Sequence, residues 1–249
     1  MITIENLSIS FENRIIINNI NMNIDSGKTL VVFGKNGSGK SVLLKAIAGL
    51  IRDYSGSIKI NETDIKNFYD DSGSFNSEHS SMAYVFQKGG LFDSMDVFEN
   101  VAFPLRRKRI KEDMIAQAVN NALNRVGLSG NEKKFPSELS GGMQKRVGLA
   151  RAICVNPDII LYDDPTAGLD PILSDSISDI ISEIKNSNKC TSLVVTHDIK
   201  VAQKVADEIA LIYKGELAFT GSNNDFFSGN NTFARQFIEA KLDGPIDIY

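Results

Sequence analysis

Hydrophobic and polar residues alternate along the first 24 residues of the chain, with asparagine-rich breaks between the short runs. Alternation with a period of two is typical of strands that bury one face, so we predict antiparallel strands here. The pattern then changes to longer apolar runs, which indicate buried strands. A polar stretch at residues 61–81 predicts a surface loop. The apolar runs lie at residues 30–33, 82–86, 159–162 and 193–196, and residues 57–60 predict a further short strand.

Helical stripes separate these runs, and the clearest covers residues 112–126 and is ended by Gly127. Strands that alternate with helices predict an α/β fold with a mostly parallel sheet, whose ligand lies at the carboxyl ends of the strands. We predict a single domain over residues 1–249, with a helical insertion at about 91–136 and a C-terminal tail at about 222–249.

A glycine-rich sequence follows the first buried strand and precedes a helical pattern. It reads Gly34, Lys35, Asn36, Gly37, Ser38, Gly39, Lys40 and Ser41, the G-x-x-x-x-G-K-S pattern of a phosphate-binding loop. Glycines allow the backbone to fold closely around phosphate oxygens, and a helix N-terminus favours an anion. Lys40 would reach the β and γ phosphates, and the Ser41 hydroxyl would bind Mg²⁺. The sequence therefore predicts a P-loop NTPase core that binds a nucleoside triphosphate.

Composition and charge add limits to this interpretation. With 42% hydrophobic and 23% charged residues, the chain has an ordinary globular composition, and its net charge of −4 gives no reason to expect nucleic acid. No apolar run approaches the roughly 20 residues that cross a bilayer, and the N-terminus lacks the features of a signal peptide. Cys154 and Cys190 are too few for a disulfide framework or a zinc site. We expect a cytoplasmic protein that reaches a membrane only through a partner.

Polar residues follow the later predicted strands. Asp163 comes directly after a buried strand, and we expect its carboxylate to orient Mg²⁺ and its water ligands beside Ser41. Hydrolysis also needs a group that positions or deprotonates the attacking water, a role open to Asp164 and His197. Gln87 offers a neutral oxygen to the metal ion or to the water. Taken singly, Gln87 and His197 could merely cap a helix or face solvent, but their shared position at strand ends favours catalysis.

A second glycine-rich turn begins a helix at residues 139–144, which read L-S-G-G-M-Q. Ser140 is a natural N-cap for this helix. The turn resembles the signature sequence of the ATPase subunit of ABC transporters, and it occurs in the family order with the phosphate loop, Gln87, Asp163 and His197. The resemblance covers essentially the whole chain. It implies the ABC ATPase fold, with an antiparallel β subdomain and a helical insertion.

The resemblance also implies how the site is completed. Two copies would meet head to tail, so that the signature of one copy presents N–H groups to the γ-phosphate held by the other. Phe11 takes the position of the family aromatic that stacks on adenine, whereas the residues alone favour core packing for it. The residues that would act from the signature side or across the dimer are Ser140, Gly141, Gly142, Gln144 and Asp170.

One position departs from the family pattern. The residue after the metal-binding aspartate is usually glutamate, and here it is Asp164. The carboxylate is kept but is one methylene shorter, so the attacking water has to lie closer or the strand end has to shift. We therefore expect slow but real hydrolysis.

Residues 89–95 with 97–105, and residues 234–238 with 243–245, resemble the MlaF-like branch of the family. The ATPases of this branch drive phospholipid movement between envelope membranes in Mla/Mce-type systems. The resemblance implies a place on the cytoplasmic face of the inner membrane, with a separate permease and, through it, a Mce-type substrate-binding protein. The tail in this branch can engage a small cytosolic regulator, and residues 246–249 match that tail less well. The side chains that would contact the permease, unless they pack within the helical insertion, are Leu91, Phe92, Met95 and Phe98.

Two other roles share the same hydrolytic site. The ATPase of a small-solute importer, for example for an amino acid, would differ only in its permease groove and its tail. A soluble ABC ATPase of cofactor assembly would work with cytosolic scaffold proteins. The apolar character of residues 91–98 favours a membrane partner over that second role.

Overall fold

The computed structural model describes residues 1–12, 14–68 and 81–247, so most of the predicted polar loop lies outside the described residues. The described strands are β1 (Ile2–Phe11), β2 (Arg14–Ile24), β3 (Thr29–Gly34), β4 (Ser55–Ile60), β5 (Thr63–Asp64), β6 (Met82–Val85), β7 (Ile159–Asp163), β8 (Thr191–Val195), β9 (Glu208–Tyr213) and β10 (Glu216–Ser222). The described α-helices are α1 (Lys40–Ile47), α2 (Val97–Arg107), α3 (Glu112–Arg125), α4 (Gly141–Ile153), α5 (Pro171–Asn188), α6 (Ile199–Val205), α7 (Asn223–Phe227) and α8 (Thr232–Glu239). None of these helices combines the length and hydrophobicity needed to span a membrane.

The strands form two sheets. The smaller sheet has the order β2-β1-β4-β5 and antiparallel neighbours throughout. The larger has the order β10-β9-β3-β8-β7-β6, and its neighbours are parallel except for the β9–β10 hairpin. The predicted α/β fold, with a mostly parallel sheet and an antiparallel β subdomain, is confirmed. The carboxyl ends of the parallel strands meet at one edge of the larger sheet.

Strand β3 passes between two hydrophobic cores. Val31 and Phe33 belong to the core that is shared with α2 to α6, whereas Leu30 and Val32 belong to the core beneath α1 and the smaller sheet. All four side chains are buried. Successive side chains of a strand point to opposite faces, so a strand covered on both faces is apolar at every position. This arrangement explains why residues 30–33 form a continuous apolar run.

The predicted helical insertion is built from α2 and α3, which pack against α4. The first turn of α2 is capped by Asp96, whose carboxylate accepts from the Glu99 amide. Fully buried Asn100 fastens the loop before α2, since its side chain accepts from Phe92 N and donates to the carbonyls of Phe92, Met95 and Asp96. This one amide therefore gives a connection without regular structure a fixed shape.

Two strands begin earlier in the structure than the sequence segments that predicted them. Strand β8 begins at Thr191, because the amides of Thr191 and Ser192 already donate to backbone carbonyls of neighbouring segments. Both side chains are buried although they are polar, so the hydrophobic pattern did not include them. Strand β4 begins at Ser55 and includes Gly56, whose φ is +87°. A Cβ at Gly56 would lie 2.4 Å from the Asn6 carbonyl oxygen, so the close approach of β1 requires glycine there.

We expect Phe226→Ala to lower the free energy of unfolding by about 3–5 kcal/mol, because it leaves a cavity in the core. Phe226 is fully buried, and its ring lies 5.3 Å from the rings of both Phe33 and Phe219. Urea denaturation measures the loss. The control is Leu50→Ala, at a side chain 60% exposed, which should stay within about 0.5 kcal/mol of the wild type. A loss for Phe226→Ala no larger than that of the control would contradict this account of the core.

Candidate functional site

The phosphate-loop sequence connects the end of β3 to the start of α1. Gly39 precedes the helix with φ of +101°, and a Cβ there would lie 2.6 Å from Ile17 Cδ1. A Cβ at Gly34 would lie 2.5 Å from the Ile212 carbonyl oxygen. Both positions therefore require glycine for steric reasons, and the loop closes tightly against β2 and β9.

Lys40 folds back over this loop. Its Nζ donates to the carbonyl oxygens of Gly34, at 2.7 Å, and Lys35, at 3.0 Å. Burial lowers the pKa of Lys40, and the negative charges of Asp164 and Asp163 oppose that shift. The loop thus places a partly desolvated cation beside a helix N-terminus, an arrangement that favours a bound anion.

A hydroxyl and a carboxylate meet where α1 begins and β7 ends. Ser41 Oγ donates to Asp163 Oδ1 at 2.8 Å, and the Tyr84 hydroxyl donates to Asp163 Oδ2 at 2.8 Å. Burial, followed by the charge of Asp163, raises the pKa of Tyr84, so this hydroxyl remains a donor. Both oxygens of Asp163 are therefore held in fixed directions.

The adjacent residue, Asp164, is held by contacts with the end of β8 and with the two residues that follow β8. His197 Nδ1 lies 3.0 Å from Asp164 Oδ2, and Thr196 Oγ1 donates to Asp164 Oδ1 at 3.3 Å. The Asp164 backbone has φ of +47° and its amide donates to the Val195 carbonyl at 2.8 Å. The imidazole of His197 is 60% exposed, so it can also contact a group that arrives from solvent.

A cavity of about 440 Å³ joins these groups. The phosphate loop lines it, together with Gln87, Asp163 and Asp164. Arg14 and Ile16 of β2 line it as well, whereas Phe11 is 46% exposed and is not among the lining residues that the structure describes. The structure therefore brings Gln87, Asp163 and Asp164 together at this cavity, with Arg14 rather than Phe11 at its wall. His197 contacts Asp164 but is not among the described residues that line the cavity.

The residues of the predicted signature lie outside this cavity in the described part of the chain. Ser140 caps α4, since its Oγ accepts from the Met143 amide at 3.3 Å, and Gly141 beside it is exposed. Gln144 donates through Nε2 to the Pro136 carbonyl at 2.9 Å. Asp170 caps α5 by accepting from two backbone amides. Within one chain, the glycine-rich start of α4 therefore does not reach the phosphate loop at the start of α1.

The apolar segment before α2 forms part of a second cavity, of about 530 Å³. Phe92 is 41% exposed and lines it, together with Phe86 and Phe103, and the rings of Phe92 and Phe103 lie 4.8 Å apart. Leu91 and Phe98 instead pack against the hydrophobic core, as the alternative interpretation of the segment expected. Met95 is only partly exposed and is not a lining residue of this cavity among those described.

Sequence reasoning missed several residues that shape the two cavities. Tyr84 lies inside an apolar run and Thr196 closes another, so neither stands out as a functional residue. Arg14 begins a strand after an asparagine and carries no motif. These contacts depend on which strands are neighbours, which a single sequence does not specify.

Comparison with known proteins places this site in a family. The family model described as ABC transporter matches residues 17–167. The probable ribonucleotide transport ATP-binding protein mkl of Mycobacterium leprae is 39% identical over 98% of this chain and 70% of its own length. The intermembrane phospholipid transport system ATP-binding protein MlaF of Haemophilus influenzae is 34% identical over 99% of this chain and 93% of its own length. The methionine import ATP-binding protein MetN of Histophilus somni is 35% identical over 96% of this chain and 70% of its own length.

A solved structure has the same fold. It is the ATP-binding cassette MJ0796 as a dimer in a post-hydrolysis state with ADP and Pi bound, and it superposes with a TM-score of 0.80 at 29% identity. The match covers 89% of this chain and 98% of that one. The likeness therefore extends over most of the fold.

We expect Lys40→Ala to weaken ATP binding about 10- to 100-fold, because a hydrogen bond to a charged group contributes about 1.5–3 kcal/mol. Equilibrium titration with a fluorescent ATP analogue measures the affinity. Lys45→Ala, on the exposed face of the same helix, is the matched control and should bind like the wild type. Unchanged affinity in Lys40→Ala would remove this side chain from the site.

Proposed function

The chain belongs to the family of ABC transporter ATP-binding proteins and hydrolyses ATP, and we propose that it energises phospholipid transport between envelope membranes as one half of a homodimer. The observation that carries the lipid assignment is the similarity to MlaF over 99% of this chain and 93% of that protein. Similarity to MetN over 96% of this chain keeps small-solute import as the second candidate. The hydrolytic site serves either role, so the partners decide between them.

In the proposed site, the phosphate loop and Lys40 hold the phosphates of ATP. Mg²⁺ would be held by Ser41, Asp163 and Gln87. The bond from Ser41 Oγ to Asp163 Oδ1, at 2.8 Å, supports this assignment, because hydroxyl and carboxylate oxygens are the ligands that Mg²⁺ prefers. When bound, the ion would neutralise charge that develops on the transferred phosphoryl group. Tyr84 donates to the other oxygen of Asp163 and so fixes how that carboxylate is turned.

We assign the role of general base to Asp164, with His197 as the group that orients it and contacts the phosphate side of the site. The contacts of Asp164 with His197 and Thr196 support this role, because they leave the carboxylate at the wall of the phosphate-loop cavity. Gln87 lines the same cavity and offers an amide to the metal ion or the water. Phe11 keeps its proposed role at the adenine, with its exposed ring free to stack on a base.

The second half of the site would come from another copy of the chain. The first four N–H groups of a helix lack partners within it, and Ser140 satisfies only that of Met143 with its side chain. The amide of exposed Gly141 therefore suits a phosphate presented by the partner subunit. We propose the same role for the amide of Gly142, which is buried in the single chain. Gln144 supports this turn by donating to the carbonyls of Pro136 and Leu139. Asp170, at the start of α5, would contact the opposite site.

The cavity lined by Phe86, Phe92 and Phe103 is the proposed docking site for a cytoplasmic helix of the permease. Exposed aromatic rings around a concave surface fit the apolar face of such a helix. This surface favours a membrane complex over the soluble role in cofactor assembly. The chain would then lie on the cytoplasmic face of the inner membrane, and a Mce-type protein would be reached only through the permease.

The C-terminal tail folds back on its own chain. Gln236 bonds to the backbone of Leu242 and Ile246, and Asp247 contacts Lys214 and the Tyr213 hydroxyl. A small cytosolic regulator that engages this tail would have to bind the folded-back form or displace it.

Asp164→Asn is expected to bind ATP but to hydrolyse it at least about 100-fold more slowly, because a positioned general base contributes roughly that factor or more. Release of phosphate under saturating ATP measures the rate, and Asp164→Glu should keep hydrolysis because it keeps the carboxylate. The control is Asp179→Asn, an exposed aspartate on α5 that should leave the rate unchanged. Hydrolysis by Asp164→Asn at the wild-type rate would refute the assignment of the base.

Affinity purification of the tagged chain from detergent-solubilised membranes tests the proposed transport role. We expect an Mce-domain protein and a multi-span permease to be recovered with it and identified by mass spectrometry. A single substitution in the docking cavity, Phe92→Asp, should remove both proteins without changing the ATPase rate of the isolated chain. Leu50→Asp, at an exposed position away from that cavity, should recover them normally. Recovery of an amino acid permease, or of a soluble scaffold alone, would overturn the lipid assignment.

A further inference from the structure

The side chain of Lys145 links two functional segments of the chain. Lys145 lies in the second turn of α4, and its Nζ donates to the carbonyl oxygens of Ala167, at 2.6 Å, and Pro165, at 3.2 Å. Both carbonyls belong to the connection between β7 and α5, residues 164–170. The ammonium group therefore ties the helix that starts at the signature to the segment that starts at Asp164.

Each end of this connection is already fixed by other contacts. Asp164 is held through its amide and by the side chains of Thr196 and His197, and Asp170 caps α5. Between them lie two turn-type bonds, from Ala167 N to Asp164 O and from Leu169 N to Thr166 O, each at 3.1 Å. These bonds shape the turn but do not attach it to α4. Lys145 supplies the hydrogen bonds that attach it, beside Leu169, whose Cδ2 would lie 3.7 Å from a Cβ built on Gly142 of α4.

Burying a lysine side chain only to bond carbonyl oxygens is unfavourable, because its charge loses hydration, unless that charge also interacts with an opposite charge. Burial lowers the pKa of Lys145, and the negative charge of Asp164 acts in the opposite direction. A partly desolvated ammonium is stabilised here by two carbonyl oxygens and by the neighbouring carboxylate. A neutral donor such as glutamine could satisfy a carbonyl, but it would not interact with the charge of Asp164.

We propose that Lys145 is a positioning residue for ATP hydrolysis, which couples the orientation of α4 to the placement of Asp164. When a phosphate of the partner's nucleotide engages the start of α4, Lys145 would hold the connection against that helix and so keep the base in register with the site. This inference rests on the proposed role of Asp164 as the base. Lys145 is absent from the described lining of the phosphate-loop cavity, so its effect would fall on turnover and not on nucleotide binding.

The experiment compares Lys145→Met, which removes the donor and keeps the length, with Lys145→Arg, which keeps a cation with several donors. We expect Lys145→Met to lower kcat about 10- to 100-fold with little change in KM for ATP, because small misplacements of a reacting group have effects of that size. Lys145→Arg should recover a large part of the rate. Lys45→Met, on the exposed face of α1, should match the wild type.

Two further readouts separate positioning from a merely structural role. Thermal unfolding should give similar midpoints for Lys145→Met and the wild type. Hydrogen–deuterium exchange should be faster in residues 164–170 of Lys145→Met and unchanged in the phosphate loop. An unchanged kcat, or a fall in kcat accompanied by a lower unfolding midpoint and no rescue by arginine, would overturn the inference. Full activity of Asp164→Asn would instead refute the assignment of Asp164 as the base. That result does not depend on how the Lys145 variants behave.

Discussion

The hydrogen bond from Ser41 to Asp163 is the contact on which the arrangement of the site depends. It joins the first turn of α1 to the end of β7, which lies two strands away from β3 in the sheet. The bond forms because parallel strands end at the same edge, so residues far apart in the sequence meet there. The polar groups around the two carboxylates take their positions from the same edge: Asp164 from the end of β7, Thr196 from the end of β8, and Gln87 from the end of β6.

Much of this edge could be predicted from the sequence, because its main parts are local. The phosphate loop is contiguous, its glycines have a steric reason, and each catalytic candidate directly follows an apolar run. The parts that escaped prediction are the contacts between elements. Tyr84 and Thr196 bond to carboxylates on the neighbouring strand, and Arg14 reaches the cavity from the other sheet. These contacts follow from the order and register of the strands, which cannot be predicted from a single sequence.

The same distinction explains the mixed result for the apolar segment before α2. Its hydrophobic character indicated a surface for a partner, yet Leu91 and Phe98 turn inward onto the core while Phe92 turns outward. Buried Asn100 decides between these directions, because its four hydrogen bonds fix the loop backbone. An asparagine within a helical stripe reads as a surface residue in the sequence. Its bonds to the loop depend on the burial of α2 against α4, which a single sequence does not show.

The backbone at Asp164 suggests why an aspartate stands where the family usually has glutamate. The φ of +47° lies in the left-handed region, which aspartate and asparagine adopt more readily than other residues with a side chain. Glutamate would extend the reach of the carboxylate by one methylene, but it would pay more conformational energy at this dihedral angle. The shorter side chain is in turn held at both oxygens, by His197 and Thr196. Aspartate therefore reaches less far toward the attacking water than glutamate would, but its backbone is less strained and its carboxylate is fixed. A longer, more flexible glutamate could adjust to small displacements of the backbone. With aspartate, catalysis depends more strongly on the exact position of the connection after β7.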